Sequence, residues 1–419
     1  MASQTLLRRG TTSARILSPD AARGFALLGI ALANIPTAWV GYELIDQGRM
    51  LGGIQPGAEG AHRFFDQLMM VLGAMFAHVR GLPMFSTLLG FGVGLISMSL
   101  ARRGFPLQSA WKVLIRRYGF LALFGFLHAV FLFYGDIMLM YGLMAIVLAL
   151  MIGFSNKVLK WIAVGLYALN GLVFTTIFAS TFFVDASDLD LSGYVDNPET
   201  YLGWMGLGLV TAIGAVPMTL FSGLCLFPMI IVGFIFARSG VLHRPDEHLT
   251  TLRTWAGVAA AVILLIGLPW GLAEIGVLND EWASRFMILN QIFGYLTGPG
   301  IVAFFALVLR GAQKRYEATG VVPVLLRAPV ALGKRSMSGY LMQSVILFIL
   351  TLPFTLGLFV DAGATVLTLV GVGTWLITLA LAWILEAARL PGPFEWLHRR
   401  LSYGKNGLPE QWAPPQRQS

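Results

Sequence analysis

Apolar residues run through this chain in stretches about as long as a bilayer is thick, with polar residues clustered between them. Roughly 20 apolar residues cross a hydrocarbon core. On that measure spans are expected at 24–42, 82–101, 118–135, 137–154, 160–183, 218–237, 254–275, 286–309, 337–358 and 364–385. Two apolar stretches, 64–101 and 203–237, are too long for one crossing. Counting each as two would carry the Arg102 to Arg117 cluster to the wrong side. Each is therefore expected to begin with an interfacial or re-entrant piece, 64–79 and 203–216, that breaks near Pro83 or Pro217. Broken helices are tolerated at membrane depth only beside protein or water, so a vestibule open to the outer side is expected.

Composition agrees with the pattern: 57% of the 419 residues are hydrophobic and 12% are charged. That excludes an ordinary soluble domain and predicts an all-α, polytopic membrane bundle of about ten helices. The net charge of +8 does not point to nucleic acid, because the basic residues sit at the ends of apolar spans. With the amino terminus in the cytoplasm, all 29 Lys and Arg except Arg49, Arg63, Arg80 and Arg285 fall on the inner side, as the positive-inside rule requires. Both termini are then cytoplasmic, in a multi-pass protein of the plasma (inner) membrane. A cytoplasmic segment 1–23, a bundle 24–386 and an amphipathic tail 387–419 follow as divisions. The start of the chain shows no cleavable signal pattern. The loop 185–200 is acidic and reads as a solvated connector, and the end of the tail reads as disordered. The lone Cys225 has no disulfide partner.

The polar residues inside the spans carry the candidate chemistry. An ionisable side chain at membrane depth costs at least about 2.5–3.5 kcal/mol on insertion scales, and so marks function unless packing accounts for it. His128 stands inside FGFLHAVFLFYGDIMLMYG (124–142) as a candidate base, or else as a packed, hydrogen-bonded histidine. Asp136 lies eight residues on, roughly 12 Å away along one straight helix. Direct contact between them is excluded on that geometry. Gly135 and Asp136 read instead as a turn and a cap for a helix starting at Ile137. Arg23 and Asn34 share a face of the first span; Arg23 doubles as a topology anchor. Ser336, Tyr340 and Gln343 form one stripe, lining a path or bonding between helices. Arg102, Arg103, Arg116, Arg117, Lys334 and Arg335 make an inner rim whose guanidinium forks would suit phosphates. PGPFEWLHRRL (391–401) reads as an interfacial helix with Phe394 and Trp396 among headgroups and Arg399 and Arg400 facing anionic lipid. The sequence has no phosphate loop, metal-ligand spacing or GxSxG, so no metal is expected.

SPDAARGFALLGIALANI (18–35), LPMFSTLLGFGVGL (82–95), GFLHAVFLFYGDIMLMYGLMAIV (125–147), GKRSMSGYLMQSVI (333–346) and PGPFEWLHRRLS (391–402) resemble, in order, the blocks of the YeiB-type membrane proteins, a family named by a domain of unknown function. These are similar in turn to transmembrane acyltransferases such as the lysosomal heparan glucosaminide N-acetyltransferase. The resemblance implies acyl transfer from cytoplasmic acyl-CoA (acetyl-CoA) as donor substrate to an extracytoplasmic acceptor, an envelope sugar or lipid. It maps Asn34 onto an active-site asparagine. The histidine that follows in that enzyme's outer loop has no counterpart in GYELIDQGRMLGGIQPG (41–57). His128 takes its place here, with His62 and His78 in reserve. The expected catalytic set is His128, Asn34 and Asp136, with Asn34 steadying the oxyanion. Partners are the lipid bilayer, the donor and the acceptor; a homodimer is left open. A transporter or flippase using the same polar face is the alternative.

Overall fold

The computed structural model describes residues 15–45, 48–183, 197–279 and 281–413. The acidic loop before Asn197 and the tail beyond residue 413 lie outside them. Helix α1 (Leu17–Asn34) continues into a π-helical turn, Ile35–Trp39. Then come α2 (Gly60–Phe76), α3 (Gly81–Arg102), α4 (Leu107–Phe131), α5 (Met138–Leu150), α6 (Asn156–Ser180) and α7 (Tyr201–Ser239). The second half holds α8 (Leu249–Val262), α9 (Leu268–Glu274), α10 (Glu281–Phe293), α11 (Thr297–Val308), α12 (Arg310–Thr319) and α13 (Val324–Lys334). It closes with α14 (Ser336–Thr351), α15 (Ala364–Ala387) and α16 (Pro393–Tyr403). Among the described residues every regular element is helical, and nine helical runs are long and apolar enough to cross a membrane, with α5 and α14 as shorter apolar helices. The protein is a polytopic helical membrane protein, and each of the ten expected spans falls on a helix.

The loops gather into two ends. At one end Arg103 donates to the carbonyls of Leu408 and Pro409, Arg117 to the Tyr403 hydroxyl, Arg238 to the carbonyls of Ile152 and Phe154, and Arg310 to Asp246. This is the basic end. At the other end Asp361 accepts from the amides of Glu43, Leu44 and Ile45, Asp66 from those of Gln55 and Thr365, and Arg285 bonds Thr181.

Small residues let the central helices touch. Where α3 crosses α7, a methyl on Gly233 would meet the backbone at Phe91 N, 3.0 Å away, and one on Gly90 would press on Ile230. Close backbone approach of this kind replaces the hydrophobic drive that lipid cannot supply.

The two long apolar stretches part company. The first does break, at residues 77–80, three residues ahead of Pro83. Val79 there has φ +54°, a conformation that a β-branched residue adopts only where its surroundings enforce it. The enforcing group is Arg80, which donates to the carbonyls of Ala74, Met75 and Val79 and to Asn290 Oδ1. The carbonyls of Ala74 and Met75 lie in the last turn of α2, where no following helical amide takes them. The second stretch does not break: α7 runs through Pro217 and Pro228 as one helix of 39 residues, roughly 58 Å at 1.5 Å per residue. A proline removes one amide donor, yet the helix persists through both. The expected re-entrant piece at 203–216 is therefore part of α7.

Candidate functional site

Residues 128–136 do not form one straight helix. Helix α4 stops at Phe131, the chain reverses over 132–137, and α5 returns alongside α4. His128 Nδ1 and Asp136 Oδ2 are consequently 2.6 Å apart, with both side chains only 1% exposed. The 12 Å separation is overturned by the turn that Gly135 and Asp136 themselves predict. Asp136 also caps α5 as expected, its Oδ1 accepting from Leu139 N at 2.8 Å. Gly125 makes the hairpin possible, since a methyl there would lie 2.6 Å from Asp136 Oδ1.

A carboxylate only accepts, so Nδ1 carries the imidazole proton and Nε2 keeps the lone pair of the neutral ring. Nε2 is buried with no hydrogen-bond partner. The ring packs beside Tyr340, centroids 5.1 Å apart, and Phe133, 6.2 Å. The Nε2 of Gln343 is likewise buried and unsatisfied. Buried polar atoms normally have partners, so this pocket of unmet capacity stands out.

Two cavities approach from opposite ends. The first, about 440 Å³, opens at the basic end. Arg15, Arg23, Arg117, Lys334 and Arg399 line it together with Asp20 and Glu395; deeper, it narrows between Leu27, Phe85, Leu121, Tyr141 and Tyr340. Arg23 is held by Asp20 Oδ1 at 3.3 Å and by the Leu88 carbonyl at 3.1 Å. Ser336 lines it too. The second cavity, about 380 Å³, is walled by Asn34, Thr37, His78, Tyr134, Gln291 and Tyr295. Along α1 the first takes residues up to Ile30 and the second begins at Gly29; Ile30 and Ile137 line both. A septum of branched aliphatic side chains thus separates them at mid-depth. The bend at residues 77–80 forms one wall of the second cavity, as the expected vestibule requires.

The structure brings only part of the expected set together. Arg23, Ser336, Tyr340, Arg117 and Lys334 face the basic cavity, and Asn34 faces the opposite one. His128 lines neither; Tyr340 stands between it and the basic cavity. Gln343 is buried away from both. The expected phosphate rim is largely engaged elsewhere. Arg335 is buried against Glu386 Oε2 (2.6 Å) and the Leu390 carbonyl, and Lys334 reaches Glu386 Oε1 at 2.6 Å. Arg103 serves tail carbonyls, while Arg102 and Arg116 are exposed and outside the cavity. His62 is exposed on the first turn of α2. His78 gains weight: its Nε2 donates to the Met50 carbonyl at 2.5 Å, leaving the Nδ1 lone pair free in the neutral ring. Among the described residues no three His, Cys, Asp or Glu side chains group as metal ligands.

Helix α16 is more than a lipid-facing amphipath. Glu395 Oε1 accepts from Met337 N (2.7 Å) and Ser338 N (3.0 Å), capping α14, and His398 Nε2 donates to the Arg117 carbonyl at 2.8 Å. Burial, with Arg117 nearby, pushes the His398 imidazole down to about 4. Glu395, His398 and Arg399 thereby close the basic cavity from below. The sequence offered no spacing that would pair 395–399 with residues 117 and 337.

Comparison of the sequence with known proteins finds one partial family match and relatives of similar length. Residues 236–405 match the family described as Protein of unknown function (DUF418). The chain is 26% identical over 409 residues to the uncharacterized protein YeiB of Escherichia coli (strain K12), covering 93% of this chain and 96% of that protein. It is also 26% identical over 416 residues to the uncharacterized protein YxaH of Bacillus subtilis (strain 168), covering 94% and 95%. The five sequence blocks in order, the match over residues 236–405 and the end-to-end similarity to these two relatives make the chain similar to the YeiB-type membrane proteins.

Proposed function

We propose that the protein is a membrane acyltransferase of the plasma membrane, with its basic end in the cytoplasm. The observation that carries the reading is the pair of opposed cavities sharing Ile30 and Ile137, with a carboxylate-oriented imidazole beside that septum. An acyl-CoA would place its phosphates among Arg15, Arg23, Arg117, Lys334 and Arg399, and its thioester would reach the septum past Tyr340. The acceptor would enter the neutral cavity. His128 Nε2 removes the proton from an acceptor hydroxyl or amine once Tyr340 swings aside, and Asp136 steadies the imidazolium so formed. The acceptor oxygen or nitrogen bonds to the acyl carbon as the carbon–sulfur bond breaks. The proton held by His128 passes to the departing thiolate, giving CoA thiol and acylated acceptor. Asn34, on the acceptor side, would donate to the oxyanion, a role worth about 2.7–4 kcal/mol per donor in such sites.

Purified protein in liposomes should bind acetyl-CoA and release CoA thiol when envelope sugars or lipids are supplied. Absence of both binding and release would favour the second reading, a transporter working by alternating access across the septum. The broken α2–α3 segment at the vestibule suits that class. Its weakness is that α7, which would supply the matching break, is continuous.

A further inference from the structure

The basic cavity is polar at its mouth and apolar at its closed end. From the arginines inward its wall changes to Leu27, Phe85, Leu121 and Met138 before Ile30 and Ile137 end it. Both ending residues are β-branched and therefore stiff at χ1. Ile30 is 5% exposed, and α3 begins against it: a methyl on Gly81 would lie 2.9 Å from Ile30 N. Ile137 follows directly on Asp136, which is fixed by His128 and Leu139 N. The two side chains thus form a firm stop rather than a soft plug.

We infer that Ile30 and Ile137 set the length of the acyl chain the protein accepts. This rests on the acyl-transfer reading and adds to it the residues that restrict the donor to short-chain acyl-CoA. A short acyl group ends at the septum with its thioester carbonyl level with Tyr340 and His128. A longer chain runs into the two isoleucines and holds its thioester back toward the arginines. The same stop explains why the apolar end belongs to the donor cavity and not to the neutral one, whose wall carries amide, hydroxyl and imidazole groups.

The test is equilibrium binding of CoA and of its acetyl, butyryl, hexanoyl and octanoyl thioesters to the full-length protein in detergent, with Ile30→Ala, Ile137→Ala and the milder Ile137→Val. Wild-type protein should favour acetyl or butyryl over octanoyl. The alanine variants should raise octanoyl affinity relative to acetyl by about tenfold, the lower range for a changed hydrophobic pocket. Ile137→Phe, which lengthens the stop, should move the ratio the other way. Should an alanine variant fail to fold, the valine and phenylalanine variants still shift the ratio in opposite directions. Ratios unchanged in every folded variant, with the thioesters still bound, overturn the inference and leave acyl transfer standing. No binding of CoA or any thioester to wild-type protein overturns the acyl-transfer reading itself.

Discussion

The cavity at the basic end and the one facing it divide the work of recognition by unlike means. The first gathers five cationic side chains around an entrance and grades into hydrocarbon. The second presents an amide, a hydroxyl, an imidazole and aromatic rings, and the buried Arg80 stands behind its wall bonded to carbonyls. Charge attracts from a distance but discriminates poorly among anions. Neutral donors and acceptors discriminate by being left unpaired when the wrong group binds. The contrast fits a generic donor on one side and a particular acceptor on the other.

The sharpest test acts at the partition between them. Asp136→Asn keeps an acceptor for Leu139 N but disturbs the imidazole tautomer. CoA release should fall on the order of ten-thousandfold, by analogy with carboxylate-to-amide changes in oriented histidine sites, with little change in melting temperature. A loss under tenfold would place the proton transfer at another residue, and His78 would be the next to replace. Arg80→Ala strikes the neutral side. It strands the carbonyls that end α2, each orphan costing about 1–3 kcal/mol, so a destabilisation of about 3 kcal/mol is expected by thermal unfolding in detergent. Pro217→Ala, inside the unbroken α7, should be nearly silent in the same assay. If the two variants melt alike, the account of the broken segment fails.

Smaller effects distinguish the two entrances. Arg399→Gln removes an exposed cavity-lining charge and should weaken acetyl-CoA binding about threefold, an effect that fades in high salt. Asn34→Ala should leave that affinity alone while slowing transfer. Equal effects on binding from both would dissolve the division of roles. The weakest expected signal is from His398. Its folded-state pKa is depressed to about 4, so the undocked ring binds a proton first. Docking of α16 is then fully stabilised above about pH 6.5 and loses up to about tenfold in equilibrium constant per unit as pH falls toward 4. Hydrogen exchange across 393–403 reads this directly; protection independent of pH would show that Glu395 alone holds the helix.

Spans and the broken segment were legible because hydropathy acts locally along the chain. The turn at Gly135–Asp136 was legible for the same reason. Its consequence, the contact between His128 and Asp136, was not, because a reversal after Phe131 leaves no mark in helical spacing. The inner rim was over-read for a related reason: sequence shows where arginines lie but not that Glu386 and tail carbonyls already hold them. Proline, in turn, was a poor guide to helix ends. What distinguishes residues 77–80 from Pro217 is Arg80, a side chain able to take over the freed carbonyls.

The clasp of α16 also imposes an order on biogenesis. That helix is translated after every described membrane-spanning helix, yet it supplies the cap of α14 and part of the floor beneath the arginines. The bundle can therefore be threaded into the bilayer while the basic chamber is still open. Its final shape arrives only when the last ribosomal stretch folds back. A chain cut short after Ala387 would insert, span and sort like the intact protein, and yet display a gaping, misshapen entrance where the finished molecule has a walled one.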